Sequence, residues 1–251
     1  SILNNQPMGF YPVSTICVEA KNHGVEVLGP SINHSGKDVA VTGLSIRIPF
    51  KMISGMKQNA ITSIIRERAK GKFKSFYDFT RRVKLDSDIL RNLILCGCFD
   101  EFGISRKSLL WQAKDACMVA DSTPPQAEML LALPDPVYCT HKAAGVPGQM
   151  EFSLGEKVAF EYQILGTGVS AHPMEIWRGK LRKQGFIASR ELSSIKPGDF
   201  VKAGGIPVRP HRPPTKSGRT VVFLSLEDES GLIDVTCFEN VYAKYGKFLF
   251  P

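Results

Sequence analysis

Hydrophobic residues recur at helical spacing within the first third of the chain. Ile61, Ile64 and Ile65 fall on one face of a predicted helix that Gly71 is placed to end. The opposite face is basic and carries Arg66, Arg68 and Lys70. The pattern therefore predicts an amphipathic helix with a positively charged outer face.

A second helical unit follows. The segment Asp86-Ser87-Asp88 precedes an apolar run at residues 89–94, and Gly97 and Gly103 bracket a short segment before the next predicted helix. Two helix-glycine-helix units are thus expected in tandem.

Other helices and strands are predicted nearer the two ends. A helix is expected over Ile16–His23, with Ser14 as its cap and Gly24 as its stop, and another near Ser153–Leu165. Alternating residues predict strands with a hairpin turn at residues 228–231. The three strand ranges are Phe200–Val208, Thr220–Leu226 and Leu232–Phe238.

Composition suggests where domains meet. Pro, Ala and Gly accumulate over residues 121–150, which is typical of a linker. The expected fold class is multi-domain α+β, a helical tandem helix-hairpin-helix domain followed by an incomplete all-β OB-fold. The predicted divisions are 1–45, 46–120 (tandem helix-hairpin-helix), 121–195 (linker and helical connector) and 196–251 (OB-fold).

Positive charge is concentrated in two blocks of a chain whose formal charge is +8. Residues 47–84 hold eleven Lys/Arg and two acids, and residues 196–219 hold six Lys/Arg and one acid. Such blocks favour a polyanionic partner. The six cysteines are scattered, with no Cys-x-x-Cys pair, signal peptide or apolar run of membrane-spanning length. This pattern favours the cytoplasm and gives no reason to expect a zinc site or a membrane partner.

The segment Ile53-Ser54-Gly55-Met56-Lys57 resembles a helix-hairpin-helix turn. Glycine allows the tight bend, and backbone N–H groups at the next helix start can face a phosphate. Ser54, Gly55, Met56 and Lys57 are therefore candidate DNA contacts. Lys57 stands where such hairpins usually have a second glycine, and an ordinary helical hairpin with a solvated basic face is the alternative.

The second unit offers a weaker candidate hairpin at residues 96–100. Gly97 would form the turn, and Arg106 and Lys107 would begin the following helix as DNA contacts. A packing turn is the alternative, because Asp100 would repel a phosphate brought close.

Neither acidic segment is predicted to be catalytic. Asp86 and Asp88 have the spacing of a Mg²⁺-binding pair, but they directly precede an apolar helix, where they are expected to cap it. Residues 227–229 are interpreted as part of a hairpin turn, where acids are common. No catalytic residue and no metal ligand is predicted in this chain.

A long basic loop joins the first two predicted strands of the β region. In an OB-fold such a loop flanks the face that binds single-stranded nucleic acid. Phe223 and Phe238 could be stacking platforms, but strand aromatics are more often core residues, so neither is taken as a candidate contact. The candidate DNA contacts in and beside the loop are Arg209, His211, Arg212, Lys216 and Arg219.

Residues 126–130 have the general shape of a peptide that binds a sliding clamp. Gln126 is followed, after two spacers, by the apolar Met129 and Leu130. Such short patterns also arise by chance, and residues 149–152 form a weaker competitor.

Several segments together resemble bacterial family C DNA polymerases, the DNA polymerase III alpha type. Residues 3–11 and 20–27 resemble the distal fingers, residues 73–79 and 95–100 the tandem helix-hairpin-helix domain, residues 170–174 the connector, and residues 222–231 the OB-fold. The sequence of residues 209–218 resembles the error-prone branch of this family more closely than the main replicative branch.

The resemblance implies a DNA-directed DNA polymerase, a nucleotidyltransferase of replication or translesion repair synthesis. The aspartates that bind Mg²⁺ would lie in a palm domain outside this chain, so this segment is expected to bind no cofactor and to be inactive alone. Both ends look cut, and residues 240–251 are expected to be poorly ordered.

Two rival hypotheses predict different partners. A free-standing accessory protein built from the same DNA-binding modules would have no catalytic partner on its chain. An RNA-binding protein would prefer RNA over DNA of equal length.

Overall fold

A computed structural model describes residues 2–6, 11–121, 151–214 and 218–249, without the side chains of residues 114–121 and 209. The contacts divide the chain into two compact units. One unit comprises residues 26–170 and is called the helical unit below; the other comprises residues 1–25 and 171–251 and is called the β unit. The α+β fold class is confirmed, whereas the four predicted domain bounds stay a prediction.

The helices, in chain order, are α1 (Val13–Asn22), α2 (Gln58–Ala69), α3 (Phe76–Arg82), α4 (Ser87–Leu95), α5 (Arg106–Asp121), α6 (Leu154–Leu165), α7 (Pro173–Lys183) and α8 (Glu239–Tyr245). The strands are β1 (Glu26–Leu28), β2 (Ala40–Thr42), β3 (Ser45–Arg47), β4 (Phe186–Ile187), β5 (Lys202–Ala203), β6 (Ile206–His211), β7 (Val221–Asp228) and β8 (Gly231–Phe238). Short 3-10 helices occupy Ile2–Asn5, Phe50–Met52, Asp100–Phe102, Ser189–Ser194 and Gly246–Phe248.

The helical unit begins with a small sheet in the order β1-β3-β2, in which β3 runs parallel to β1 and antiparallel to β2. Its helices then bury the predicted apolar positions. Ile61 and Ile64 of α2 are buried, as are Leu93 and Ile94 of α4. The predicted basic back of α2 is only partly correct, because Arg68 is half-buried and donates to two backbone carbonyl oxygens.

Four phenylalanines hold α3 against the turn that follows α4. Phe79 and Phe99 have ring centroids 5.0 Å apart, and each also makes an edge-to-face contact with another ring: Phe73 lies 5.1 Å from Phe79, and Phe76 lies 5.0 Å from Phe99. All four side chains are at most 3% exposed. Edge-to-face pairs add to burial, so α3 is firmly anchored although it has only seven residues.

Some helices begin and end where the sequence predicts, and others do not. The helix predicted near Ser153–Leu165 is present as α6; the structure adds that the Ser153 side chain caps it reciprocally with Glu156 and that Gly166 ends it at φ +71°. The predicted start of α1 was wrong, because the helix begins at Val13 after the extended Pro12. Ser14 is therefore buried inside the first turn and does not cap it.

The β unit contains a parallel pair, β4 and β5, and an antiparallel sheet in the order β6-β7-β8. The predicted hairpin is confirmed, since Asp228 pairs with Gly231 across a two-residue turn. β8 forms one edge of this sheet within the described residues. After β8 the chain forms α8 and a short 3-10 helix, and the expected poor order of residues 240–251 stays a prediction.

Candidate nucleic-acid interface

The first predicted hairpin forms a tight turn before α2. Gly55 adopts φ +78°, a conformation that favours glycine. The Ser54 amide donates to the carbonyl oxygen of Ile164 at 2.9 Å, and the Met56 amide donates to that of Ile53 at 3.0 Å. These two amides are occupied within the protein, so they are not free to bind a phosphate as the sequence analysis expected.

The exposed N-terminus of α2 is the part of this hairpin that suits a phosphate. No described side chain caps this helix, and its first helical hydrogen bond runs from the Ile61 amide to the Lys57 carbonyl oxygen at 3.1 Å. The amides of the first turn therefore point out of the helix at the positive end of its dipole. Lys57 adopts an extended conformation with φ −86°, so no glycine is required there.

The Lys57 ammonium also lies at this helix start. Its Nζ atom is 3.1 Å from the Asp86 carboxylate, and both side chains are largely exposed, at 72% and 68%. An exposed pair of this kind contributes little stability, so a phosphate can compete for the lysine. Asp86 occupies the predicted capping position of α4, but its side chain pairs with Lys57 and does not cap the helix.

The second predicted hairpin is a packing turn, and the assignment of Arg106 to DNA was wrong. The Arg106 side chain is buried, and its guanidinium donates to both Asp100 oxygens, at 3.0 and 2.7 Å, and to the Leu95 carbonyl oxygen at 2.8 Å. It also lies 3.4 Å from the buried Glu161 carboxylate. Every side of the guanidinium is thus engaged within the protein.

Gly97 and Lys107 are likewise occupied within the helical unit. A Cβ atom on Gly97 would lie 2.3 Å from the Arg106 guanidinium, so this glycine makes room for the buried ion pair. The Lys107 ammonium lies 4.7 Å above the centroid of the Phe152 ring and 3.5 Å from the Glu151 carbonyl oxygen. The predicted role of these two residues in DNA binding is therefore not supported by their surroundings.

Three aromatic rings lie on one face of the β6-β7-β8 sheet. His211 pairs with Phe223 in register and stacks on it, with ring centroids 5.6 Å apart. Phe238 lies diagonally from Phe223 on the same face, because Val221 pairs with Phe238. Phe223 is 39% exposed and Phe238 62%, so neither is a core residue, although strand aromatics more often are.

The alternation along β7 contains the signal that identifies this face. Val222 and Leu224 are buried, whereas Phe223 shares its parity with the polar Ser225. Over residues 221–225 the odd-numbered residues of β7 therefore point away from the core, whereas Glu227 near the end of the strand is buried.

The basic loop is described only in part. Arg212 and Arg219 are exposed, and the Arg212 guanidinium lies 5.9 Å from the centroid of the Tyr242 ring. The Arg209 side chain and Lys216 lie outside the described residues, as do the clamp-peptide candidates Gln126, Met129 and Leu130.

The acidic residues of the hairpin turn bind donors within the protein. Glu227 accepts from the Thr15 hydroxyl and lies 3.3 Å from His172 Nε2. Asp228 is fully buried, and its pKa is lowered from the usual value because hydrogen bonds from Ser189 and Ser230 outweigh the raising effect of burial. The turn was predicted from the sequence, but this buried network was not.

Glu229 completes the network by accepting two hydrogen bonds from the Arg178 guanidinium, at 2.5 and 2.8 Å.

Among the described residues, no group of three His, Cys, Asp or Glu side chains is placed to hold a metal ion. Within the same residues, no helix combines the length and hydrophobicity needed to span a membrane.

Comparison with known proteins gives consistent matches over the whole chain. Residues 24–109 match the helix-hairpin-helix motif family. The error-prone DNA polymerase of Symbiobacterium thermophilum is 33% identical over 100% of this chain and 26% of its own length. Error-prone DNA polymerase 1 of Rhizobium meliloti is 26% identical over 98% of the chain and 23% of its own length.

The error-prone DNA polymerase of Mycobacterium tuberculosis (strain H37Rv) is 31% identical over 98% of the chain and 21% of its own length. The chain thus spans about a quarter of the length of these relatives. Over its whole length the chain is therefore similar to a segment of bacterial error-prone DNA polymerases.

Proposed function

We propose that this chain is a DNA-gripping, non-catalytic portion of a bacterial DNA-directed DNA polymerase that acts in replication or translesion repair synthesis in the cytoplasm. The observation that carries the proposal is the exposed, uncapped N-terminus of α2 directly after the Gly55 turn, with Lys57 beside it. It lies within the segment that matches the helix-hairpin-helix motif. Amides and a lysine at one helix start bind a phosphate without reading base sequence.

Single-stranded template is the proposed ligand of the β6-β7-β8 face. Exposed aromatic rings stack on bases irrespective of sequence, at about 1–3 kcal/mol per base. His211, Phe223 and Phe238 share this face, and Arg212 extends from the end of β6. Rings and nearby cations form the combination that single-stranded nucleic acid requires.

Nucleotide transfer is proposed to depend on Mg²⁺ and on residues outside these 251. The carboxylates of the β unit hairpin bind internal donors, and Asp86 pairs with Lys57. We therefore expect no primer extension by this chain with dNTPs and Mg²⁺. Residues 126–130 remain a candidate segment for binding the sliding clamp.

Fluorescence anisotropy with a labelled duplex and a labelled oligothymidine separates the two surfaces. Lys57→Gln should weaken duplex binding several-fold, because it removes about one phosphate contact, and should leave single-strand binding nearly unchanged. Phe223→Ala combined with Phe238→Ala should do the opposite. Lys37→Gln, an exposed lysine of the helical unit, is the matched control for Lys57. Equal loss on both ligands for both variants would contradict the assignment of separate surfaces.

A further inference from the structure

Most cations of the 47–84 block are already paired or buried within the protein. Four of them form ion pairs with nearby acids: Lys51 with Asp38, Lys57 with Asp86, Lys70 with Glu67, and Arg82 with Asp78. Arg66 also lies 3.5 Å from Glu67, and the guanidinium groups of Arg47 and Arg68 donate to backbone carbonyl oxygens. The net charge of the block is therefore not spread evenly over its surface.

Four exposed cations remain without an acidic partner among the described residues. Lys72 and Lys74 precede α3, Arg81 lies in its last turn and Lys84 follows it; these four residues are called the α3 patch here. Asp78 is the one acid within residues 71–84, and it is bound by Arg82 at 3.2 Å and by the Lys74 amide at 3.1 Å. The patch thus keeps a local charge of about +4, the largest uncompensated charge that the structure assigns to this block.

The scaffold of the patch is rigid. Phe73 lies between Lys72 and Lys74 and is buried, so both lysines point away from the core. The Arg82 guanidinium covers the Phe73 ring at 4.5 Å and donates to the Gly71 carbonyl oxygen at 2.9 Å, which ties the lysine-bearing segment to α3. Arg81 projects on the side of α3 away from the buried Phe76 and Phe79.

We propose that the α3 patch is a second duplex-backbone contact, distinct from the turn at the start of α2; this inference rests on the proposed DNA-binding function. A helix of seven residues is about 10 Å long, and one strand of B-DNA places a phosphate about every 3.4 Å of helix axis. One cation on this helix and three beside its two ends are therefore expected to contact about three phosphates. The patch has no exposed large apolar side chain between its cations, which fits a phosphate backbone better than a lipid surface.

The test measures duplex affinity as a function of salt for the 251-residue chain. In the patch variant, Lys72, Lys74, Arg81 and Lys84 are all changed to Gln. In the control variant, four exposed lysines outside the patch are changed to Gln, with the same change in net charge: Lys37, Lys180, Lys183 and Lys244. Two double variants, K72Q/K74Q and R81Q/K84Q, divide the patch into halves.

The patch variant should raise the duplex Kd at least 10-fold at 0.15 M salt and flatten the slope of log affinity against log salt by about 2–3, because each lost phosphate contact removes about 0.9. Each double variant should give about half of that change, and the control variant less than 3-fold. A patch variant with the wild-type slope would overturn the inference while leaving the proposed function standing. A control variant as weak as the patch variant would also overturn it, and absence of duplex binding by the unmodified chain would overturn both.

Discussion

Replacing Arg106 with Met tests whether this residue is structural, as its surroundings indicate. The change keeps much of the side-chain volume and removes the guanidinium. The Arg106 side chain is only 4% exposed, and it pairs with Asp100, which is 49% exposed, and with Glu161, which is 1% exposed. Removing the guanidinium therefore has a different energetic cost at each of the two acids.

The magnitude follows from these exposures. Asp100 can regain hydration, so losing its partner costs little. Glu161 would keep a negative charge in a buried site, and breaking a buried pair from one side costs about 3–5 kcal/mol. Because Glu161 still accepts bonds from the amides of Val169 and Ser170, both at 2.8 Å, we expect the lower end, about 3 kcal/mol.

Urea unfolding followed by circular dichroism measures this loss. A second variant, Glu161→Gln, removes the charge that Arg106 compensates. The double variant should therefore be about 2 kcal/mol more stable than the sum of the two single changes predicts. Lys107→Met is the neighbouring control and should cost less than about 1 kcal/mol, because its ammonium is partly exposed.

Duplex binding decides between a structural role and a DNA contact. Under conditions in which Arg106→Met stays folded, its duplex affinity should match that of the unmodified chain. Loss of stability below about 1 kcal/mol, combined with a marked loss of duplex affinity, would refute the structural role.

Three further predictions concern the same packing turn and the buried network. Gly97→Ala should destabilise the chain by at least about 2 kcal/mol, because its Cβ would meet the Arg106 guanidinium. The control Gly103→Ala, which has open space around the new Cβ at φ +68°, should cost about 1 kcal/mol. Equal losses of stability for the two variants in urea unfolding would count against the contact between Gly97 and Arg106. The pKa of Asp228 is lowered in the folded chain. The ionised Asp228 side chain therefore contributes its full stabilisation at pH values above the usual aspartate pKa of 3.8, and this stabilisation is lost as the pH falls below 3.8. Asp228→Asn should remove part of the acid-induced loss of stability seen in unfolding titrations. Burial raises the pKa of the Cys98 thiol, so Cys98 should react with iodoacetamide only after unfolding, whereas rapid labelling of the native chain, read by peptide mass spectrometry, would argue against its burial.

Local patterns predicted most of the elements that position the candidate interface. The isoleucine periodicity of α2, the helix predicted near Ser153–Leu165 and the 228–231 hairpin all depend on residues close together in the chain, and the structure contains them. The Gly55 turn was identified for the same reason, since its positive φ is a local requirement.

Long-range partners explain the site residues that the sequence did not identify correctly. Arg106 looks like a phosphate contact at a helix start, but its buried partner Glu161 is 55 residues away. Asp228 looks like an ordinary turn residue, but Arg178 and Ser189, 50 and 39 residues away, bind it. Phe223 is different, because its exposure could have been predicted from nearby residues. Side chains of a strand alternate between its two faces, and the neighbours of Phe223 on either side are buried.

The salt dependence of duplex binding tests the central claim that this chain grips DNA through its phosphate backbone. Anisotropy titrations with two duplexes of unrelated sequence, at salt concentrations from about 0.05 to 0.3 M, give the slope directly. Binding through the phosphate backbone predicts a linear decrease of log affinity with log salt, with a slope of about −3 or steeper and equal within error for the two sequences. Affinity that does not change with salt, or that differs strongly between the two sequences, would contradict it.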